Sequence, residues 1–207
     1  MSLHPRLRVA GAADQWARGR RRAAAPLVAV LLLLGALVGI APAAAAAATG
    51  TVVGWGLNDQ GRARPPAGLT GVTAIAAGLD HSLALKSDGT VVGWGHNFNG
   101  QTSPPAGLTG VTAIAAGNSY SLALKSNGTV VGWGRNDSGQ ASRPTGLTGV
   151  TAIAAGSQHS LALKRNGTVV GWGRNDFGQA SPPAGLTGVT AIAAGAYHSL
   201  AVQGRAG

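Results

Sequence analysis

The chain has 207 residues, enough for one domain or at most two. It carries 16 Lys and Arg against 6 Asp and Glu, a net charge of +10, with 34 Gly, no Cys and 4% aromatics. The missing cysteines exclude disulfides, thiolate metal centres and cysteine nucleophiles. Glycine in that quantity, with so few aromatics, predicts many turns around a core of small side chains.

Six arginines (Arg6, Arg8, Arg18, Arg20, Arg21 and Arg22) and Asp14 precede residue 26, so half of the positive excess belongs to the head. The remainder mixes signs without a single-sign block. Glu is absent, which leaves Asp59, Asp80, Asp88, Asp137 and Asp176 as the body's carboxylates.

Residues 1–48 have the three parts of a secretory signal. An arginine-rich region spans 1–25, an apolar run without polar side chains spans 27–40, and an Ala-rich cleavage region spans 41–48. Cleavage after Ala46 or Ala48 is expected, giving a secreted chain. The alternative is a membrane anchor formed by residues 23–48, long enough to cross a bilayer. Pro26 and Pro42 bracket only a short apolar segment, which favours cleavage and no membrane contact afterwards. Arg20-Arg21-Arg22 resembles a twin-arginine export signal.

The rest of the chain repeats. Trp55, Trp94, Trp133 and Trp172 are 39 residues apart, and each closes a Gly-Thr-Val-Val-Gly-Trp-Gly segment. Four units follow, at 50–88, 89–127, 128–166 and 167–205. A period of this length means a solenoid, an array or a propeller. Each unit holds three strand-like runs, in the third unit Thr129-Val130-Val131-Gly132-Trp133, then 150–155, then 160–164. Asp88-Gly89, Asn127-Gly128 and Asn166-Gly167 join the third run of one unit to the first run of the next, and such pairs predict type I′ hairpins. A long loop separates Trp133 from Val150. A blade therefore takes its second and third runs from one unit and the Trp run from the next.

These runs predict an all-β, β-propeller-like array of four three-stranded blades after an N-terminal signal helix. The Ala-Ile-Ala-Ala run, with little bulk, suits the inner strand. The Trp run suits the outer one, its indole packed over the neighbouring blade. Blade four ends without an outer strand near Val202, while residues 51–55 form an outer strand without a blade. Pairing them within one chain makes a closed four-blade ring. An open arc would instead pair them between chains, giving head-to-tail oligomers.

Three strings recur in order: Trp-Gly-x-Asn-x-x-Gly-Gln, Ala-Ile-Ala-Ala-Gly and His-Ser-Leu-Ala-Leu-Lys. Together they resemble the regulator of chromosome condensation repeat family over residues 50–205. The resemblance implies a β-propeller. In unit length it is nearest to a secreted bacterial branch that includes a propeller-type β-lactamase inhibitory protein. It also implies two known roles, nucleotide exchange on a small GTPase with chromatin binding, and enzyme inhibition through an aromatic-rich surface. Arg62 departs from the pattern, standing where the other units have Gln101, Gln140 and Gln179.

The polar residues that could carry chemistry are repeat residues. His81, His159 and His198 share one position, with Tyr120 in the fourth, and backbone hydrogen bonding at blade edges explains them better than a metal centre. Asp59, Asp137 and Asp176, with Asn58, Asn97, Asn136 and Asn175, lie in different blades, so Asx turns explain them better than calcium. Asn127, Asn136 and Asn166 fall in glycosylation triplets, two of them hairpin turns. Arg135, Arg143, Lys164, Arg165 and Arg174 are interspersed with Asp, an ordinary solvated surface without a nucleic-acid stripe. No catalytic residue, cofactor or metal is expected, and an enzyme is not.

The expected function is an exported binding module for a protein or surface glycan. The alternatives are a structural repeat protein assembling into oligomers and, by resemblance, an exchange-factor-like regulator or β-lactamase inhibitor. Variation among otherwise near-identical units marks two loop sets. Phe98, Arg135, Arg174 and Phe177 are the expected anchors, with Tyr120 and Tyr197 as a second group.

Overall fold

The computed structural model of the protein describes residues 49–204. The signal segment and its alternative as an anchor lie outside the described residues. The described chain is all β. Blade one comprises β1 (Val72–Ala77), β2 (His81–Lys86) and β3 (Val91–Gly95). Blade two comprises β4 (Val111–Ala116), β5 (Tyr120–Lys125) and β6 (Val130–Gly134), and blade three β7 (Val150–Ala155), β8 (His159–Lys164) and β9 (Val169–Gly173). Blade four holds β10 (Val189–Ala194) and β11 (Ser199–Gln203). Each complete blade is an antiparallel meander with its first, second and third strands in spatial order.

The blades are offset from the sequence repeat as the turn chemistry predicts, but the hairpins differ from type I′. Among the described residues none other than glycine has a positive φ, and in the turn after β2 only Gly89 does, at 80°. The Gly89 amide donates to the Lys86 carbonyl and the Lys86 amide to the Thr90 carbonyl. This is a three-residue loop, a type I turn closed by a glycine bulge. Asp88 stays right-handed because its carboxylate accepts the Thr90 amide at 2.9 Å, as Asn127 accepts Thr129. A side chain bonded two residues onward removes the need for a left-handed Asx residue.

Middle strands carry the core. Leu83, Ala84 and Leu85 are buried, as are their counterparts in β5 and β8. One hydrophobic cluster joins Leu83, Leu85 and Val91 of blade one to Ala123 and Trp133 of blade two. A second joins Leu122, Leu124 and Val130 of blade two to Ala162 and Trp172 of blade three. The leucine face of each blade thus receives the alanine face, and the indole, of the next. Small residues on one side and large on the other let the sheets interdigitate, and each fully buried leucine contributes about 2 kcal/mol.

The expectation of four three-stranded blades is met in three. Blade four has two strands, and β11 has no partner on its outer edge among the described residues. Residues 51–55 form no strand; Gly50 makes one antiparallel bridge to Val72, and Trp55 is 86% exposed. The outer segment therefore stays on its own end of the array. Among the described residues the array is open.

Candidate loop face

The junctions between blades repeat one hydrogen-bonding scheme. The main-chain oxygen of Gln101 accepts from the Ser121 hydroxyl at 2.8 Å and from the Trp133 indole at 2.8 Å. Gln140 receives Ser160 and Trp172 in the same way. Across the junction, His81 Nε2 meets Ser121 Oγ at 2.9 Å, and His159 Nε2 meets Ser199 Oγ at 2.9 Å. Because the serine hydroxyl is already donating, the imidazole must donate through Nε2 and leave Nδ1 bare. Nδ1 of both rings is buried without a partner. Burial accordingly pulls the His81 pKa down to about 4 and lowers that of His159.

The expected backbone bonding of these rings is thus corrected: the histidines reach a serine side chain of the next blade. Tyr120 alone bonds backbone, donating to the His159 carbonyl. His198 is exposed, since no blade follows it in the described chain. His81 and His159 each face a serine of the following blade, in different junctions, and do not converge. Tyr120 is fully buried, its hydroxyl 3.0 Å from Ser160 Oγ, which removes it from the exposed recognition group. The repeat tryptophans divide similarly: Trp133 and Trp172 are buried, Trp94 half-buried, and Trp55 exposed because no blade stands where its indole would pack.

The loops after the third strands are held from within. Asn97 accepts the Thr102 amide at 2.9 Å and donates to Ser103 Oγ at 2.9 Å. Gln101 Oε1 accepts the Asn99 amide at 3.0 Å. Asn136 with Gln140, and Asn175 with Gln179, repeat these contacts. The asparagines are turn-formers, as the spacing indicates, and the intervening positions have no structural duty. Asp137 and Asp176 pair with Arg135 and Arg174, each at 2.6 Å. In the first loop Arg62 replaces the glutamine by bridging Asp59 at 2.6 Å and Asp80 at 3.1 Å, and donating to the Leu79 carbonyl.

The two variable loop sets lie side by side, a relation the sequence does not reveal. The amides of His96, Arg135 and Arg174 donate to the carbonyls of Asp80, Ser119 and Gln158, each at 2.8 Å. Arg174 also bonds the Gln158 side chain at 3.0 Å. Phe177 of one set and Tyr197 of the other meet edge to face, ring centroids 5.8 Å apart. His96 stacks with Phe98 at 6.4 Å. Phe98 is 87% and Phe177 69% exposed. Phe98, Arg135, Arg174, Phe177 and Tyr197 therefore stand on one row of linked loops, with Phe177 and Tyr197 in direct contact.

Residues 72–101, 111–140 and 150–179 match the regulator of chromosome condensation (RCC1) repeat. No curated protein matches the chain significantly. Among solved structures, the ectodomain of the Physcomitrella patens receptor kinase CR4 is 28% identical, with a TM-score of 0.62, over 72% of this chain and 43% of that one. Prp20p, the RCC1 of Saccharomyces cerevisiae, is 24% identical, with a TM-score of 0.56, over 64% of this chain and 43% of that one. The ectodomain of the Arabidopsis thaliana receptor kinase ACR4 is 25% identical, with a TM-score of 0.51, over 64% and 45%. The chain spans less than half the length of each. With its repeat strings, three-stranded blades and inter-blade contacts all in register, the array belongs to the RCC1 repeat family.

Proposed function

We propose that this chain is an exported, non-catalytic binding module that engages a protein through the loop face. The observation that carries the reading is the exposure of Phe98 and Phe177 on loops whose backbone is fixed by internal Asn and Gln contacts, with the exposed Tyr197 packed against Phe177. Rigid loops present aromatic anchors at low entropic cost, and such anchors dominate protein recognition. Neighbouring Arg135 and Arg174, each held by an aspartate, supply oriented donors around them.

A protein partner is favoured over a surface glycan by what the relatives bind. The relatives support the class. One structure shows yeast RCC1 bound to Kap60, and another concerns the binding of Prp20p to Gsp1p and histones. The same fold forms the ectodomain of a receptor kinase. Export rests on residues 1–48, and the intact mass of the secreted chain tests it: a mature form starting near Ala47 or Thr49 is expected. Affinity capture from culture supernatant tests the partner. A protein retained by the chain and lost from Phe98→Ala/Phe177→Ala supports the loop face, and equal retention by both refutes it.

A further inference from the structure

The two ends of the array are complementary halves of the junction that already joins its blades. At the N-terminal end, residues 51–55 are fixed where the outer strand of a preceding blade would lie. Gly50 bridges Val72, just as the Val189 amide donates to the Gly167 carbonyl at the last junction. The space for that blade's middle strand is an open groove of about 420 Å³ between Val53 and Trp55 on one side and Ile75 and Trp94 on the other. Ile75 is 65% exposed, whereas its counterparts Ile114 and Ile153 pack against the leucines of the blade before them.

At the C-terminal end the deficit is reversed. The unpaired edge of β11 exposes Leu200 and Val202, and beside it a cavity of about 440 Å³ is lined by Leu161, Val169 and Leu186. Homologous residues Leu122 and Val130 hold the Trp172 indole one blade earlier. The Gln179 carbonyl accepts the Ser199 hydroxyl at 2.7 Å, while the indole that its counterparts Gln101 and Gln140 also bind is absent from the described chain. Phe177 and Tyr197 border the cavity at its loop end, and no Asp, Glu, Lys or Arg lines it, as suits the core of an interface.

We propose that the occupant of each end is a second copy of this chain, joined head to tail. Residues 51–55 of one copy add to β11 of another. The register of β2 with β3 pairs Ser82 with Trp94 and Leu83 with Gly93. Transposed, it sets Trp55 opposite Ser199 and Gly54 opposite Leu200. Trp55 then enters the cavity and donates to the Gln179 carbonyl. Leu200 and Val202 cover Ile75, and His198 reaches the Ser82 hydroxyl as His81 reaches Ser121. The segment that docks is the same Gly-Thr-Val-Val-Gly-Trp-Gly that fills this place in all three complete blades. The new contact therefore continues an interface the fold already makes. Such a heterologous contact closes into a ring or extends. Two copies would hold eight blades, within the range of propellers.

The test is the mass of the full chain in solution by light scattering, for the wild type and two variants. Trp55→Asp spoils the docking segment and Leu200→Lys spoils the edge. Both residues are exposed in the single copy, so each variant folds, which circular dichroism verifies. The wild type is expected as a dimer or larger, each variant alone as a monomer, and an equimolar mixture as a dimer through the one junction left intact. A monomeric wild type, assembly indifferent to both substitutions, or a mixture that stays monomeric would each overturn the proposal. A monomer whose Trp55 fluorescence reports burial would show closure within one chain instead.

Discussion

His81 offers a direct measurement of the inter-blade contact, because the repeat supplies its own control. The homologous place in blade two is filled by Tyr120, whose hydroxyl crosses to the next blade's backbone. His81→Tyr thus exchanges one native solution for another at the same seat, with the Gly78 turn leaving room for the ring as Gly117 does for Tyr120. In the wild type, the folded imidazole has its pKa lowered from 6.5 to about 4 by burial. The unfolded chain takes up that proton near its ordinary pKa and the folded chain does not. Stability from the neutral ring is therefore full above the unfolded pKa and falls as pH drops toward the folded one. By linkage the loss is about 2 kcal/mol at pH 5 and about 3 kcal/mol below pH 4. Burial raises the Tyr120 phenol above its usual range, so a tyrosine at this seat stays neutral throughout.

Urea unfolding followed by tryptophan fluorescence at pH 7.5 and pH 5 provides the assay. Trp133 and Trp172 are the buried reporters. The two proteins should match within about 1 kcal/mol at pH 7.5, and the variant should be the more stable by about 2 kcal/mol at pH 5. His159 titrates in both and cancels. Parallel pH dependence of wild type and variant would mean that His81 is not held neutral at the junction, and the hydrogen-bond assignment to Ser121 would fall with it.

Three further variants probe the junction and the loop face. Gly117→Ala places a methyl group into the Tyr120 ring and 2.6 Å from the Gly156 carbonyl oxygen, and should cost about 3 kcal/mol by overpacking in a thermal or urea melt. Trp133→Phe keeps most of the apolar contact but removes the donor to the Gln101 carbonyl, and a loss of about 1–2 kcal/mol is expected by the same measurement. Phe98→Ala with Phe177→Ala should weaken an identified partner at least about tenfold by calorimetry while leaving the melting temperature unchanged, since both rings are exposed.

The architecture was legible because each unit states it again. Turn residues located the strand boundaries, and the offset of blade from repeat followed from where Asp88-Gly89 and its copies fall. The turn type was not legible: Asn-Gly is compatible with both I′ and the bulged type I turn, and the Thr90 amide bond to Asp88 decides between them. The histidines were readable as structural, but their partners were not. Ser121 lies 40 residues from His81, in another blade, and no local pattern announces that pairing. Tyr120 misled because an aromatic among histidines looks like a variable loop residue, whereas its hydroxyl makes a cross-blade bond of its own. The adjacency of the two loop sets is likewise a product of three-dimensional pairing, made by amides such as Arg135 to the Ser119 carbonyl.

The same constraint separates what can evolve in this fold from what cannot. A residue such as Gln101 serves twice: its carbonyl anchors two donors of the next blade and its side chain braces its own loop. A change there disturbs both, and Arg62 shows what replacement demands, a pair of aspartates and a carbonyl to occupy the guanidinium. Asp59 and Asp80 come from the two variable loop sets, so that substitution draws its support from the positions that are free to differ. Between the fixed residues, a position such as Phe98 carries no contact on which the junction depends, whereas Phe177 and Tyr197 border the cavity at the C-terminal end. Recognition confined to positions of the first kind can change without loss of fold. End-to-end joining, by contrast, uses the repeated residues themselves and cannot change unless the blades change with it. A substitution at Phe98 should therefore alter partner binding and leave the mass of the particle as it was.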